Sequence, residues 1–261
     1  MTIFRHELHQ GRNMLLIWSG IIALMLGACI GIYPELGKDM GDISAMFADM
    51  GGFSAAFGMD RINFGEFVGF FGVECGNVLG LGGAFFAALL GISALAKEEK
   101  EHTAEFLLSH PVSRSNVAAQ KLMAMAAQIL LLNVISVAVT ALSVLAIGES
   151  PDTKTLALLF AAYLILQLET MAICFGISAF LSSNGPGIGL GIAALFYFLN
   201  IIANLTKNAS FLKYITPFGY TEGADIIANG SIDVKYLSVG LVFTLAGVLA
   251  AFYRYGRKDI G

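Results

Sequence analysis

Six long runs of apolar residues divide the chain, and they constrain its fold more than any other feature. The runs cover residues 14–33, 69–96, 122–147, 156–181, 187–205 and 236–255. A bilayer core about 30 Å thick is crossed by roughly 20 apolar residues in a helix. Only 13% of the residues are charged, against the ~25% typical of soluble domains. The sequence therefore predicts an all-α integral membrane protein, a single transmembrane domain with six transmembrane helices.

The segments between the runs predict how the chain is placed in the membrane. Residues 2–13 are polar and basic with a few apolar side chains, which predicts a short interfacial helix before the first span. Pro34 is expected to end that span. Six spans place both termini on one side, where basic residues are denser than in segments 34–68 and 206–235. Because basic residues favour the cytoplasm, we expect cytoplasmic termini and two external segments, 34–68 and 206–235.

A charged loop, residues 97–121, joins the second and third runs. Its apolar residues recur at the i, i+3, i+4 spacing of one helical face: Ala104, Leu107 and Leu108. Pro111 is expected to end this short helix, and Ser113 or Ser115 is expected to cap the next one. An amphipathic helix held between two spans either lies on lipid or docks onto another protein. We expect the loop to be cytoplasmic.

Several polar side chains interrupt the apolar runs, and six of them are candidate site residues: Glu74, Asn77, Asn133, Thr140, Gln167 and Glu169. Glu169 lies near the middle of the fourth run, where an ionised carboxyl costs about 2.5–3.5 kcal/mol on insertion scales. We therefore expect its side chain to face the protein interior, a water-filled path or a partner. Asn133 and Thr140 share one helical face. Such groups either form hydrogen bonds between helices or line a transport path, and both alternatives stay open.

The sequence contains no motif for catalysis or for cofactor binding. It has no GxxxxGK[ST] phosphate loop and no GxSxG elbow. His6 and His9 are three residues apart, whereas a helical zinc site needs a spacing of four. The three cysteines share no CxxC spacing. The net charge of −4 argues against a nucleic-acid partner. We therefore expect a chain without a catalytic or metal site.

Four stretches resemble the permease subunits of type-2 ABC exporters, the group that includes bacterial sodium, bacitracin and multidrug exporters. Residues 2–13 are similar to the family's N-terminal elbow helix. The charged loop carries the most specific similarity: Glu101, Thr103, Glu105, Leu107, Leu108, Pro111, Val112, Ser113, Arg114 and Lys121. Residues 216–230 resemble the segment before the last span, and residues 252–260 resemble the family's C-terminal ending. His102 stands where the family has a glycine.

The resemblance implies a protein that exports a substrate with the help of a separate cytoplasmic ATPase. In that family two permeases and two ATPases form the working unit, so a second permease copy or homologue is implied. ATP and Mg²⁺ would bind to the ATPase, and no cofactor to this chain. Residues 103–108 would form the coupling helix. The implied coupling residues are Glu98, Glu101, Thr103, Glu105, Leu107, Leu108, Pro111 and Arg114. A location in a bacterial plasma membrane is also implied.

A second class of function is compatible with the same residues. In this alternative the chain is an ion-coupled carrier or channel, and Glu169 binds and releases a proton during transport. A carrier needs no docking helix, whereas a permease that lacks its own phosphate loop requires one. Residues 97–121 therefore favour the exporter.

Overall fold

Six long helices dominate the structure, a computed structural model that describes residues 2–36, 50–63, 65–97, 113–182 and 185–257. They are α1 (Thr2–Leu36), α3 (Phe67–Ser93), α4 (Arg114–Ile147), α5 (Thr153–Ser178), α6 (Pro186–Leu205) and α8 (Val234–Arg257). Two short helices, α2 (Gly52–Ala56) and α7 (Gly223–Asn229), lie in the connections. The described residues contain no strand. The prediction of an all-α protein with six membrane-spanning helices is confirmed.

Helix α1 is continuous from Thr2 to Leu36, although the sequence predicted an interfacial helix over 2–13 and a span over 14–33. A separate elbow helix is therefore not confirmed. Helix α1 continues through Gly11. This glycine lies against Gln128 of α4, and a β-carbon at its position would overlap the Gln128 side chain. Pro34 lies inside α1 rather than at its end. A proline this close to the last turn removes one backbone hydrogen bond, and the helix ends shortly afterwards.

Helix α4 begins at Arg114, well before the predicted boundary at residue 122. The side chain of Ser113 caps it by accepting a hydrogen bond from the Asn116 N–H at 3.3 Å, as the sequence predicted for Ser113 or Ser115. Residues 114–121 of the predicted loop are thus helical. At the other end Gly148 has a left-handed φ of 76°, a conformation that glycine adopts without steric cost.

Helix α5 begins at Thr153, close to the predicted boundary at residue 156. Asp152 caps it by accepting hydrogen bonds from the N–H groups of Lys154 and Thr155. The Thr155 hydroxyl donates a further bond at 2.5 Å. These bonds, the one from the hydroxyl above all, hold the pKa of the Asp152 carboxyl below its ordinary value.

Helices α3 and α5 form the centre of the bundle. In their most apolar stretches 61% and 50% of the residues are buried, against 22% in α1 and 11% in α8. α3 and α8 both pack along α5, and α1 packs along α4. A β-carbon on Gly176 of α5 would lie 2.7 Å from the Gly247 carbonyl of α8. Glycines at such crossings let helix backbones approach closely, which stabilises helix pairs in lipid.

The long helices alternate in direction, so the bundle has two ends. We call one the terminal end, because it holds Thr2 and Arg257. It also holds Lys97 and Ser113, the described residues on either side of 98–112. The other, which we call the opposite end, holds the connections from α1 to α3, α4 to α5 and α6 to α8.

The connection from α6 to α8 enters the bundle. The sequence predicted that 206–235 is an external segment. Within it, residues 216–224 are buried among the helices at all positions but Glu222. We call residues 216–224 the inserted segment. The Thr216 hydroxyl donates to the Phe196 carbonyl of α6 at 2.8 Å and accepts from the Phe218 N–H at 3.2 Å. Buried backbone around the short 3₁₀ turn Pro217–Tyr220 needs such partners from the protein. This stretch is therefore part of the bundle core rather than a surface loop.

Candidate functional site

The predicted polar residues of α5 contact two different sides of the bundle, because Gln167 and Glu169 are two positions apart and point in different directions around the helix. The Gln167 side chain is fully buried. Its Oε1 accepts from Asn133 Nδ2 of α4 at 2.6 Å, and its Nε2 donates to the Leu79 carbonyl of α3 at 3.3 Å. Gln167 thus joins three helices in the centre of the bundle.

Helix α3 is π-helical in two stretches, Phe71–Cys75 and Val78–Gly82. In each stretch one backbone carbonyl accepts a hydrogen bond from a side chain of α5. Gly72 O accepts from the Tyr163 hydroxyl at 3.5 Å, and Leu79 O accepts from Gln167. Tyr163 and Gln167 are one turn apart, so one face of α5 contacts both stretches. Single π-turns occur frequently at functional sites, and the sequence did not predict these two.

Glu169 faces the other side of α5. Its side chain is 2% exposed, and Oε2 accepts from the Tyr220 hydroxyl of the inserted segment at 2.7 Å. Gly240 of α8 lies so close that a β-carbon there would overlap the carboxylate. No cation lies within salt-bridge distance of Glu169 in the described part of the chain. Glu169 therefore faces the protein interior, as the sequence predicted, and its role in transport stays a prediction.

A third polar group surrounds a pocket at the opposite end of the bundle. Asn77 of α3 accepts a hydrogen bond from the Tyr197 hydroxyl of α6 at 2.9 Å. Glu222 of the inserted segment accepts two bonds at its Oε2, from Asn200 at 3.0 Å and from Asn204 at 2.8 Å. Of these five residues only Asn77 belonged to the predicted set.

Two other predicted residues do not join these groups. Glu74 is half-buried on α3 and forms no hydrogen bond or ion pair with the described residues. Thr140 is buried on α4, and its hydroxyl has no hydrogen-bond partner among the described residues. The structure thus connects Gln167 with Asn133 and keeps Glu169, Glu74 and Thr140 apart from that pair.

Polar contacts also join four helices at the terminal end. Lys121 of α4 is 1% exposed and donates to Glu7 Oε1 of α1 at 2.9 Å. The same ammonium group donates to the Ala94 carbonyl, just after α3, at 2.8 Å. Arg114 Nη1 donates to the Tyr255 carbonyl of α8 at 3.5 Å. We call these five residues the terminal-end cluster.

The terminal-end cluster holds both ends of residues 98–112, the stretch in which the sequence predicted the coupling helix. Ala94 lies just before this stretch and Arg114 just after it. Arg114 is the one predicted coupling residue that the structure describes. The others lie outside the described residues: Glu98, Glu101, Thr103, Glu105, Leu107, Leu108 and Pro111.

A protein-family model described as an ABC-2 family transporter protein matches residues 1–260. The chain belongs to the ABC-2 transporter family. A comparison with curated proteins finds no match. Family membership and the six long apolar helices make this ABC-2 protein a multi-pass membrane permease of an ABC transporter. The resemblance seen in the sequence is thereby confirmed.

Several residues that build the polar groups of this ABC-2 permease were not predicted as site residues: Glu7, Lys121, Tyr163, Tyr197, Tyr220 and Glu222. A tyrosine in an apolar run looks like any aromatic residue, and an acid in a connection looks like a solvated charge. One signal was present, since Asn200 and Asn204 are one turn apart on α6 and therefore share a face. That spacing indicated a polar contact but not its partner.

Proposed function

We propose that this permease is the membrane half of an ATP-driven exporter and that it docks onto a separate cytoplasmic ATPase through the coupling helix, residues 103–108. The family match over residues 1–260 carries the proposal. The ATPase binds ATP and Mg²⁺, and a second permease copy or homologue completes the substrate pathway. Burying a leucine is worth about 1.5–3 kcal/mol, so Leu107 and Leu108 together supply the main anchor of the docking contact.

The terminal-end cluster supports this proposal because it offers a physical route from the docking segment to the helices. The segment is covalently joined to α3 and α4. Lys121 links both of these helices to Glu7 of α1, and Arg114 links α4 to α8. A buried ion pair resists separation, since removal of one partner leaves an uncompensated charge. A displacement of residues 98–112 by the ATPase therefore moves four helices together.

The proposed orientation places the terminal end in the cytoplasm of a bacterial cell, at the plasma membrane. Basic residues of the described chain are numerous at this end: Arg5, Arg12, Lys97, Arg114, Arg254 and Arg257. Such residues favour the cytoplasmic side of a membrane. The same orientation puts residues 98–112 where a soluble ATPase can reach them.

An ion-coupled carrier is the second candidate function, and a single observation favours it. The buried Glu169 carboxyl has a tyrosine donor and no nearby cation among the described residues. Ionisable groups inside membrane proteins frequently form proton or ion pathways. In that case the chain would transport without an ATPase.

The deciding experiment replaces Leu107 and Leu108 together by aspartate and measures copurification of an ATPase together with ATP-driven transport. We expect membrane insertion to be unchanged while both the ATPase contact and coupled transport are lost. The matched control is Asn229→Asp with Ser231→Asp, which adds the same charge to exposed positions at the opposite end and should leave both properties intact. Normal copurification and transport in the leucine variant would refute the docking proposal. Transport by the wild-type chain alone, driven by an ion gradient, would favour the carrier.

A further inference from the structure

The pocket at the opposite end has the form of a small-molecule site. It lies between α3, α6 and the inserted segment and has a cavity volume of about 40 Å³, room for a ligand of a few atoms, which opens to solvent. Small-molecule sites are concave, largely apolar, and carry a few polar groups that converge on the ligand. Here the polar groups come from Asn77, Asn200 and Glu222, and aromatic rings come from Tyr163, Tyr197 and Phe218.

The pocket contains more hydrogen-bond acceptors than donors. Both Asn200 and Asn204 direct their NH₂ groups at the same oxygen, Glu222 Oε2. The side-chain oxygens of these two asparagines are buried and have no partner among the described residues. Glu222 Oε1 likewise accepts no hydrogen bond there. Buried acceptors normally have donors, so this arrangement favours a ligand that donates several hydrogen bonds.

The charge of the pocket is negative, because Glu222 is the one charged residue among the described residues that line it. No basic side chain lies within salt-bridge distance of Glu222. Two basic residues at this end pair with other acids: Arg61 pairs with Asp60 and Asp225, and Lys213 pairs with Asp225 at 3.0 Å. A partly buried carboxylate without a counter-ion favours binding of a cation.

The walls of the pocket suit an organic cation better than a metal ion. Tyr197 is held by its hydrogen bond to Asn77, and its ring meets that of Phe218 edge to face at a centroid distance of 5.4 Å. Aromatic faces attract alkylammonium groups. Helix α3 forms the neighbouring wall, where glycines one turn apart let Ile227, Tyr163 and Phe218 pack closely against its backbone: Gly72, Gly76 and Gly80.

We propose that this pocket binds the ammonium group of a small organic cation, with Glu222 as its counter-ion and Tyr197 and Phe218 as its aromatic wall. Asn200, the Glu222 carboxylate and an aromatic wall meet at one cavity, and a primary ammonium group can bind to the open acceptor oxygens and to the rings. The proposal concerns binding to the chain itself. It therefore stands or fails separately from docking of an ATPase.

The test uses the purified full-length chain in detergent, without ATPase or nucleotide, and methylammonium as the probe. At constant chloride concentration, replacement of Na⁺ by methylammonium should raise the midpoint of thermal unfolding, because a ligand stabilises the state that binds it. Isothermal titration gives the Kd. If the exchange has no effect on the midpoint, and titration detects no binding, the proposal is refuted.

The key variant is Glu222→Gln, which should weaken methylammonium binding about tenfold or more, since it removes the charge of the counter-ion. The fold should persist, because a glutamine oxygen still accepts from Asn200 and Asn204. Its NH₂ group can also donate to one of their unpartnered oxygens. The matched control is Glu66→Gln, the same change at an exposed position of the same end, for which we expect less than about a twofold effect. Equal affinity in wild-type and Glu222→Gln protein would overturn the proposal.

A second pair of variants tests the aromatic wall even if Glu222→Gln does not fold. Tyr197→Phe and Tyr197→Leu both remove the hydroxyl, and only the second removes the ring. Cation–ring attraction predicts that the leucine variant binds methylammonium more weakly, by about two- to fivefold. Equal affinity of the two variants would contradict the proposed wall.

Discussion

The buried ion pair of the terminal-end cluster allows a quantitative test of how its four helices are held together. Lys121 is 1% exposed and Glu7 is 18% exposed, with 2.9 Å between Nζ and Oε1. The test replaces each residue by methionine, singly and then together. Methionine fills a similar volume in each position and has a high helix propensity. Changes in stability therefore report on the loss of the polar groups.

The difference in exposure predicts an order of stability. Glu7→Met leaves the ammonium group of Lys121 buried without the charge that balances it, which costs about 3–5 kcal/mol. Lys121→Met removes the hydrogen-bond donor from the Ala94 carbonyl and from Glu7, whose carboxylate water still reaches. We expect this loss to cost about 1–3 kcal/mol. Replacing a whole buried ion pair by apolar residues is often neutral. We therefore expect the double variant to be about as stable as Lys121→Met.

The assay is unfolding by SDS in mixed micelles, followed by the fluorescence of Trp18. This residue is the only tryptophan of the chain. It lies on α1 with its ring 6.4 Å from that of Phe86 on α3, so its signal reports on separation of those helices. The informative quantity is the coupling energy from the double-mutant cycle. Additive losses, with the double variant the least stable of the three, would refute the argument that Glu7 neutralises Lys121.

Three further predictions concern topology, the buried acid and helix packing. In a background without native cysteines, cysteines at Asp42 and Lys258 should react from opposite sides of the membrane, and labelling from one side would contradict six spans. Glu169→Gln should keep the thermal unfolding midpoint, because its amide oxygen still accepts the tyrosine hydrogen bond; a transport assay then shows whether the charge is used. Gly91→Ala should destabilise the bundle by about 1–3 kcal/mol, since its β-carbon would lie 3.0 Å from the Phe175 nitrogen of α5. Gly191→Ala, with open space around it, should have little effect in the same unfolding assay.

The number and approximate positions of the long helices could be predicted because lipid imposes a minimum apolar length. The predicted span 187–205 differs from α6 (Pro186–Leu205) by one residue. The helices α1 and α4 begin before the predicted spans 14–33 and 122–147, because both continue beyond their apolar stretches into polar residues. Hydropathy cannot distinguish such a polar helical turn from a loop. The Ser113 cap could be predicted because its signal is local.

The contacts within the candidate site were harder to predict, because a sequence shows the face on which a residue lies but not the helix that it meets. Asn133 and Gln167 were both selected as polar residues, yet nothing in the sequence indicates that they bond to each other. The inserted segment was missed for another reason. It is too short and irregular to resemble a span, and its burial depends on partners supplied by α5 and α6.

Helix α3 connects the two sites proposed for this permease. Its N-terminal half forms a wall of the pocket, and the carbonyl just beyond its C-terminus is held by Lys121. Between them lies the π-helical stretch Val78–Gly82, where Gln167 of α5 donates a hydrogen bond to the Leu79 carbonyl. Single π-helical turns within α-helices occur frequently at functional sites. We therefore expect a displacement of the docking segment to reach the pocket along α3, with Gln167 in contact with the π-helical stretch between them.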